Sequence, residues 1–281
     1  MGTIRIVTDS TSDLESLAGE LGVTVVPLTV MFGTESLRDG IDIDSRTFFE
    51  RLEHTHTHPS TSQPSPDLFE QTYRALIAEG ATGIVSIHVS SKLSGTLSSA
   101  TRAAQAVEAS DGIPIRLVDS RQASLGMHFG IMAAARAISD GAGIDQVAEA
   151  AADAFGRSTV LLVADNLGYL QRGGRIGQAQ RLIGTVLNVK PIISLRDGVV
   201  VALESPRTHR RAFERLVEYV RDAMPVEGVV VGQSSPKLGD ELEMMVRNAY
   251  TGPIRRIWAG PTIGSHIGPG CAGLSFARAR V

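Results

Sequence analysis

The sequence of 281 residues has little of several features that mark particular classes of protein. It contains a single cysteine, Cys271, which excludes an internal disulfide and is typical of a reducing compartment. No apolar run approaches the roughly 20 residues that a membrane-spanning helix needs. The net charge of −3, from 27 basic and 30 acidic residues, does not indicate a nucleic-acid surface, so we expect no nucleic-acid partner.

Two motifs that would indicate catalysis are also absent. The sequence has no Gly-x-x-x-x-Gly-Lys-Ser/Thr loop to hold nucleotide phosphates. Ser94 is preceded by leucine and lacks the first glycine of a Gly-x-Ser-x-Gly nucleophile elbow. No charged-then-apolar leader is visible at the amino terminus. With 43% hydrophobic and 20% charged residues, we expect an ordinary globular protein of the cytoplasm.

The hydrophobic pattern predicts alternating strands and helices in the first half of the chain. Residues 84–89 form an apolar, β-branched run typical of a strand covered on both faces. From Leu97 onward, apolar residues recur at helical spacing. Similar strands are expected at residues 4–7 and 115–118, and the polar residues 33–44 are predicted as a loop. This alternation predicts a mostly parallel sheet covered by helices.

From residue 159 the pattern indicates a smaller mixed α/β unit. We predict a hairpin at Arg196, Asp197 and Gly198 and a helix that carries Leu182, Ile183 and Val186. The other expected elements are strands at 160–164, 228–232 and 254–259 and helices at 206–223 and 237–248. The fold class is therefore α/β with two domains, residues 1–157 and residues 158–281, and the ligand is expected between them.

Local signals predict three turns or helix starts in the first domain. Ser12 and Glu15 form a capping-box pattern ahead of a helix. Ser65 followed by Pro66 predicts the start of another helix. Pro27 interrupts the apolar run 23–32 and predicts a bend or an edge strand.

A hydroxyl-rich segment, residues 90–96 (SSKLSGT), follows the predicted strand 84–89 and begins a helix. Open α/β sheets bind ligands at the carboxyl ends of their strands, and a helix N-terminus favours an anion. The alternative is that Ser94 only caps the helix. Asp9 and Ser10 follow the first predicted strand and are candidates for the same crevice, although turn and capping roles explain them almost as well.

Eight segments, in this order along the chain, resemble the DegV family. They are 8–14 (TDSTSDL), 26–28 (VPL), 39–42 (DGID), 61–65 (TSQPS), 90–96 (SSKLSGT), 173–176 (GGRI), 190–191 (KP) and 265–270 (SHIGPG). The resemblance implies a protein without a cofactor that holds one long-chain fatty acid, such as palmitate, between its domains. It also implies that the carboxylate is presented to a separate fatty acid kinase subunit, which makes the acyl phosphate for phospholipid synthesis. Transient contact with a membrane surface is left open.

The resemblance also implies the site residues. The carboxylate ligands would be Thr61 and Ser94, with His266 nearby, and no residue of this chain would be catalytic. Further candidates for the pocket or for the partner surface are Ser62, Gly95, Thr96, Arg175 and Arg207, of which Arg207 matches a position linked to work with the kinase.

The residues alone leave other interpretations open for these candidates. Thr61 could be a turn hydroxyl in the proline-rich loop predicted at residues 54–66, and His266 a structural residue. Arg172 and Arg175 could be a solvated surface pair, and Arg207 an exposed helix start. The alternative functions are a serine-type esterase that uses Ser94 and His266, a phosphotransferase, or a non-catalytic lipid sensor. The missing elbow and phosphate loop favour a carrier.

Two further features depart from the family pattern. His54, His56 and His58 stand at alternate positions and could share one face, which suggests a metal site. The surrounding loop composition favours solvent exposure instead, so we expect no metal. Cys271 stands where the family usually has a small residue, and we interpret it as a small buried hydrophobic group.

Overall fold

The structure is a computed structural model that describes residues 3–55, 57–182 and 189–280. Within these ranges the chain forms thirteen strands and ten α-helices. The strands are β1 (Thr3–Asp9), β2 (Val23–Val26), β3 (Thr29–Phe32), β4 (Glu35–Arg38), β5 (Ser60–Ser62), β6 (Ala81–His88), β7 (Ile115–Asp119), β8 (Ser158–Val163), β9 (Ile192–Arg196), β10 (Val199–Glu204), β11 (Val226–Gln233), β12 (Ile254–Trp258) and β13 (Ala272–Arg278). The helices are α1 (Ser16–Leu21), α2 (Ser45–His54), α3 (Pro66–Ala78), α4 (Thr96–Asp111), α5 (His128–Ser139), α6 (Ile144–Arg157), α7 (Gly168–Arg172), α8 (His209–Ala223), α9 (Pro236–Arg247) and α10 (Pro261–Ile267).

Four strands form a parallel sheet in the order β2-β1-β6-β7. Helices α3 and α4 cover one face, where Phe69 and Ala104 pack against Ile84. Helices α5 and α6 cover the other face, where Ile131 and Val147 belong to one hydrophobic cluster with Val85 of β6. The predicted parallel sheet covered by helices is confirmed.

The carboxyl ends of β1 and β6 meet at one edge of this sheet because the two strands are parallel. Asp9, at the end of β1, is completely buried and contacts the turn after β1 as well as the turn after β6. Its carboxylate accepts hydrogen bonds from the backbone N–H of Thr11 (3.1 Å) and of Val89 (3.0 Å). Asp9 therefore fixes the start of the hydroxyl-rich segment 90–96.

A second, six-stranded sheet has the order β10-β9-β8-β13-β11-β12 and is mixed, with β11 and β12 parallel and the other pairs antiparallel. The sequence did not predict β13, although it lies inside the sheet. Its residues include no β-branched side chain, which weakens the strand signal. Gly273 is needed in β13 because a Cβ atom there would overlap the carbonyl oxygen of Leu161.

A small antiparallel sheet, in the order β4-β3-β5, was also not predicted. The loops expected at residues 33–44 and 54–66 contain its two outer strands, which are only four and three residues long. Such short polar strands carry no readable periodicity. The bend predicted at Pro27 is confirmed, because β2 and β3 belong to different sheets.

The local signals had mixed outcomes. The capping box was wrong: Glu15 accepts a hydrogen bond from the N–H of Trp258 (3.1 Å), and the residues 10–12 form a short 3-10 segment. The helix start at Ser65 is confirmed, since its Oγ accepts the N–H of Leu68 (3.2 Å). The hairpin is confirmed at Asp197 and Gly198, whose φ angles of 50° and 78° are those of a primed turn.

The remaining expectations concern the second half and the chain as a whole. Leu182 ends a 3-10 segment, Gly177–Leu182, whereas Ile183 and Val186 lie outside the described residues. The parallel sheet and the small antiparallel sheet use residues 3–119, and the six-stranded sheet uses residues 158–278. The domain boundary at residue 157 stays a prediction. In the described part of the chain, no helix has the length and apolar character to cross a membrane.

Two buried carboxyl groups hold the start of α10, the short helix that carries His266. Asp13 accepts a hydrogen bond from the N–H of Gly260 (3.0 Å), and Asp39 accepts one from the N–H of Thr262 (3.1 Å). Asp13 also accepts a hydrogen bond from the hydroxyl of Ser124. Burial raises the pKa of Asp13 well above its usual value and the pKa of Asp39 to about 6, despite these hydrogen bonds.

The raised pKa of Asp39 predicts a specific pH dependence of stability. Between about pH 4 and about pH 6 the folded state holds this proton more tightly than the unfolded state, so the contribution of Asp39 to the free energy of unfolding falls as pH rises. Asp39→Asn keeps an acceptor for Thr262 but cannot ionise. We expect the variant to gain up to about 3 kcal/mol relative to the wild type across this window, measured by denaturant unfolding.

Asp44→Asn is the matched control, because Asp44 caps α2 through the N–H of Thr47 and this hydrogen bond lowers its pKa. Its carboxylate stabilises the fold above the unfolded pKa, so this variant should lose stability relative to the wild type as pH rises. If the stability of both variants relative to the wild type changed in the same direction as pH rises, the raised pKa of Asp39 would be contradicted.

Candidate functional site

A cavity lies between the parallel sheet and the six-stranded sheet. The space between protein atoms there, counted together with the open mouth, is about 1010 Å³. Its walls are mostly aliphatic, and include Leu93, Leu125, Leu162, Ile193, Leu195 and Ile267. Both halves of the chain contribute to this lining, so the cavity depends on how the two sheets pack together.

Thr61 and His266 form a hydrogen-bonded pair in the lining of this cavity. Thr61 lies on β5 and its Oγ1 is 2.8 Å from Nε2 of His266, which lies in the last turn of α10. The other ring nitrogen, Nδ1, is buried and has no partner among the described residues. It faces Gly173, where a Cβ atom would overlap it. The imidazole is therefore fixed between β5 and the end of α7.

The charge state of His266 follows from this environment. Burial lowers its pKa to about 4, and the positive charges of Arg175 and His58 act in the same direction. The ring is thus neutral at physiological pH. A negative charge placed beside it would favour the protonated ring and raise the pKa again.

Ser94 lines the same cavity from the turn between β6 and α4. Its Oγ lies 2.8 Å from Oγ1 of Thr96 and accepts the N–H of Thr96 at 3.3 Å. The N-cap residue of α4 is Gly95, so Ser94 contacts the first turn without being the N-cap itself. A Cβ atom on Gly95 would overlap the amide of Gln63, which explains why a glycine suits this position.

The structure separates the other candidates. Arg175 lines the cavity, and its guanidinium donates to the carbonyls of Leu93 (3.1 Å) and Gly173 (2.6 Å). Ser62 is exposed and Arg207 lies at an exposed position before α8; neither is part of the lining. Thr96 is buried behind Ser94. Their roles in binding stay predictions.

Asp9 and Ser10 do not line the crevice. Asp9 is engaged by backbone N–H groups, as described above, and the Oγ of Ser10 accepts the N–H of Leu28 (3.0 Å). The structural interpretation of these two residues therefore holds. Thr11 lines the cavity in their place, with its hydroxyl bonded to Asp9 (2.5 Å).

Several polar side chains in the lining were not predicted from the sequence. Ser194 donates its hydroxyl to the carbonyl of Val160 (2.7 Å), and Gln233 accepts a hydrogen bond from Arg256 (2.7 Å). Because Ser194 and Gln233 already have partners in the protein, these two side chains are less available to a ligand. Only their final position in the sheet reveals this role, so no sequence signal could have found them.

The expectations for Cys271 and for the histidines at positions 54, 56 and 58 can also be compared with the structure. Cys271 is fully buried in the lining, and burial raises its pKa to about 12, so it remains a thiol. Its Sγ donates to the carbonyl of Ile267 (3.2 Å). His56 lies outside the described residues, and no group of three metal-binding side chains occurs in the ranges that the structure covers.

The esterase alternative needs a serine, a histidine and an acid in hydrogen-bonded order. Here Nε2 of His266 is paired with Thr61, and Ser94 is paired with Thr96. The described residues place no acid at Nδ1 of His266. The geometry supports ligand binding by these hydroxyls better than activation of Ser94 as a nucleophile.

Comparison with known proteins agrees with this architecture. The family model described as "Uncharacterised protein, DegV family" matches residues 3–279. A DegV domain-containing protein of Streptomyces coelicolor is 37% identical over 277 residues, covering 96% of this chain and 97% of the relative. A DegV domain-containing protein of Halalkalibacterium halodurans is 36% identical over 285 residues, covering 98% and 99%.

Solved structures show the same two-domain fold. A DegV family protein from Thermus thermophilus, described by its fatty acid binding, has a TM-score of 0.87 and 32% identity, covering 99% of this chain and 100% of its own. DegV of Bacillus subtilis, described as a fatty acid binding protein, has a TM-score of 0.87 and 28% identity with the same coverage. By its sequence and by its fold, the chain belongs to the DegV family.

Proposed function

We propose that the protein binds one long-chain fatty acid in the cavity, between domains that meet near residue 157. A separate kinase in the cytoplasm then converts the bound carboxylate to an acyl phosphate. The observation that carries the proposal is the aliphatic cavity whose lining also holds the hydroxyls of Thr61 and Ser94 beside His266. The fatty acid binding described for the relatives from T. thermophilus and B. subtilis supports it.

The acyl tail supplies most of the binding free energy in this proposal. Burial of about fourteen methylenes gains on the order of 11 kcal/mol gross, at about 0.8 kcal/mol for each group. Loss of translational freedom and ordering of the chain offset part of this gain. Leu125, Leu162 and Ile193 provide suitable apolar walls.

The head group needs hydrogen-bond donors, because burial of a carboxylate without them costs several kcal/mol. The hydroxyls of Thr61 and Ser94 donate to the two carboxylate oxygens. His266 gains a proton or donates from Nε2 as the anion arrives, and its present partner Thr61 is released for the ligand. These three groups replace the water that the carboxylate loses.

The carrier model predicts that the protein holds a bound fatty acid and that the hydroxyls near its carboxylate contribute measurably to the affinity. Protein purified from cells should carry a fatty acid detectable by native mass spectrometry. Thr61→Val and Ser94→Ala should each weaken palmitate binding by about tenfold or more, because hydrogen bonds to charged groups contribute about 1.5–3 kcal/mol. Displacement of a fluorescent fatty acid gives the dissociation constants.

Ser62→Ala is the control, since Ser62 stands next to Thr61 on β5 but faces solvent. It should leave palmitate affinity unchanged. If the purified protein carries no lipid and does not bind added palmitate, the carrier model is refuted. Turnover of p-nitrophenyl palmitate that is lost in Ser94→Ala would favour the esterase instead.

The position of Gly232 predicts control over acyl chain length. Gly232 lines the cavity on β11, and a Cβ atom there would lie only 2.6 Å from Cδ2 of Leu125, which lines it too. A larger residue must displace the Leu125 side chain, and its own side chain takes up space beside the cavity. We expect Gly232→Val to weaken palmitate binding by about tenfold while a ten-carbon acid is weakened less, because each excluded methylene forfeits about 0.8 kcal/mol.

Gly19→Val is a suitable control for a glycine substitution, because a Cβ atom on Gly19 meets nothing within 4 Å. Its binding of both acids should match that of the wild type. Equal losses for the long and the short acid in Gly232→Val would place Gly232 outside the path of the tail.

The kinase step needs a partner, because the chain has no loop that would hold nucleotide phosphates. In that step a carboxylate oxygen attacks the terminal phosphorus of a nucleoside triphosphate on the kinase, and the nucleoside diphosphate leaves. Arg207 is exposed, whereas Arg210 and Arg211 form ion pairs with Glu214. Arg207 is therefore the better candidate for a partner contact.

Arg207→Ala should leave palmitate affinity unchanged and lower acyl-phosphate formation by about tenfold or more with the kinase of the same organism. The measurement is nucleotide consumption that depends on palmitate and both proteins. Arg221→Ala, an exposed position near the end of α8, is the control and should retain full activity. Equal rates for both variants would remove Arg207 from the partner surface.

A further inference from the structure

A second groove lies between the turn after β1 and the end of β12, and it shares no lining residue with the cavity. The space between protein atoms there, counted together with the open mouth, is about 1380 Å³. Three of the eight segments that resemble the family, 8–14, 26–28 and 39–42, contribute to its walls. The fatty acid proposed above does not explain this groove, because it would lie in the cavity.

Carboxyl groups dominate the charged lining of the groove. They belong to Asp13, Glu15, Asp39 and Asp44. Within the described ranges, no ion pair joins any of the four to a basic side chain. Arg46 is the one basic residue among the described residues of the lining, so negative charge is in excess. Burial raises the pKa of Glu15 as it does for Asp13 and Asp39, and a cation beside these groups would offset that effect.

Ser12 supplies an observation that is independent of charge. It lines the groove and is fully buried, and its Oγ has no hydrogen-bond partner in the part of the chain that the structure describes. Its backbone carbonyl, in contrast, accepts a hydrogen bond from Nε2 of His128 (3.0 Å). Because buried hydroxyl groups in proteins nearly always have a partner, this Oγ indicates a donor that enters the groove.

Apolar side chains in the same lining favour an organic cation over a metal ion. Val25 is 37% exposed and Ile41 is 59% exposed, and both line the groove together with Trp258. The indole already accepts a cation, because the guanidinium carbon of Arg46 lies 5.8 Å from its ring centroid. No group of three metal-binding side chains occurs in the described residues. The lining therefore suits a positive charge carried on an apolar stem.

We propose that this groove binds a small primary alkylamine in its ammonium form. The ammonium group has three N–H donors, which bond to Oγ of Ser12 and to the carboxylates of Glu15 and Asp39. The alkyl stem lies against Ile41 and the indole of Trp258. Because the groove and the cavity have separate linings, this site does not rest on the fatty acid proposal.

The single tryptophan of the chain, Trp258, lies in the groove and reports on it through its fluorescence. The titration is made at about pH 8, where an alkylamine is protonated and Asp39, with a pKa of about 6, is ionised. We expect hexylamine to change the fluorescence in a saturable way. Hexanol has the same stem without the charge, and the ammonium ion has the charge without the stem. Each should need a concentration at least about tenfold higher.

Three variants test the contacts. Glu15→Gln keeps an acceptor for the N–H of Trp258 but removes the charge, so it should weaken hexylamine binding about tenfold. Ser12→Ala should weaken it about threefold without lowering the melting temperature, because the lost hydroxyl has no described partner. Glu53→Gln, at an exposed position of α2 outside the groove, is the control and should bind hexylamine as the wild type does.

Several results would overturn the alkylamine site. It is refuted if hexylamine leaves the fluorescence unchanged, if hexanol binds as tightly, or if Ser12→Ala lowers the melting temperature and keeps the affinity. Displacement of hexylamine by calcium, but not by sodium at the same ionic strength, would assign the groove to a metal ion. Tighter binding of Nα-acetyl-lysine amide than of hexylamine would assign it to a lysine side chain of another protein. Palmitate binding is measured separately, so failure of either site leaves the other standing.

Discussion

The attachment of α10 by two buried carboxyl groups is the constraint on which the site depends. Asp13 and Asp39 bind the N–H groups of Gly260 and Thr262, which lie 247 and 223 residues further along the chain. A helix of seven residues has little stability of its own, so these contacts and its packing decide where it lies. Because α10 is held there, His266 reaches Thr61 across a separation of 205 residues.

The same low-polarity surroundings produce both the apolar cavity and the unusual ionisation of its polar groups. Burial raises the pKa of Asp39 and lowers the pKa of His266, so each is pushed toward its neutral form. A neutral His266 avoids an uncompensated buried charge. In the proposed function, the ligand's carboxylate supplies the negative charge that a protonated His266 would balance, so the charges of ligand and site are coupled.

The sequence predicted the elements that have continuous hydrophobic patterns. The strand at residues 84–89 was predictable because a strand covered on both faces needs β-branched residues throughout. The strand β13 was not predictable from the sequence. Gly273 and its small neighbours allow β13 to lie close to β8, but such residues carry no strand signal. Thr61, Ser94 and His266 were nominated from motif resemblance. Their convergence on one cavity could not be derived, because it depends on the long-range contacts of Asp13 and Asp39.

The surroundings of His266 favour a site that binds a ligand over one that reacts with it. A general base needs an acid behind it to orient the ring and to stabilise its charge. Here Nδ1 instead faces Gly173, and no acid lies there in the described residues. Arg175, close to Gly173, places a positive charge near the imidazole. The ring is thus oriented by packing, and the nearby charges are positive. An arrangement of this kind favours a negatively charged group beside the ring and lacks the acid that would make His266 a general base.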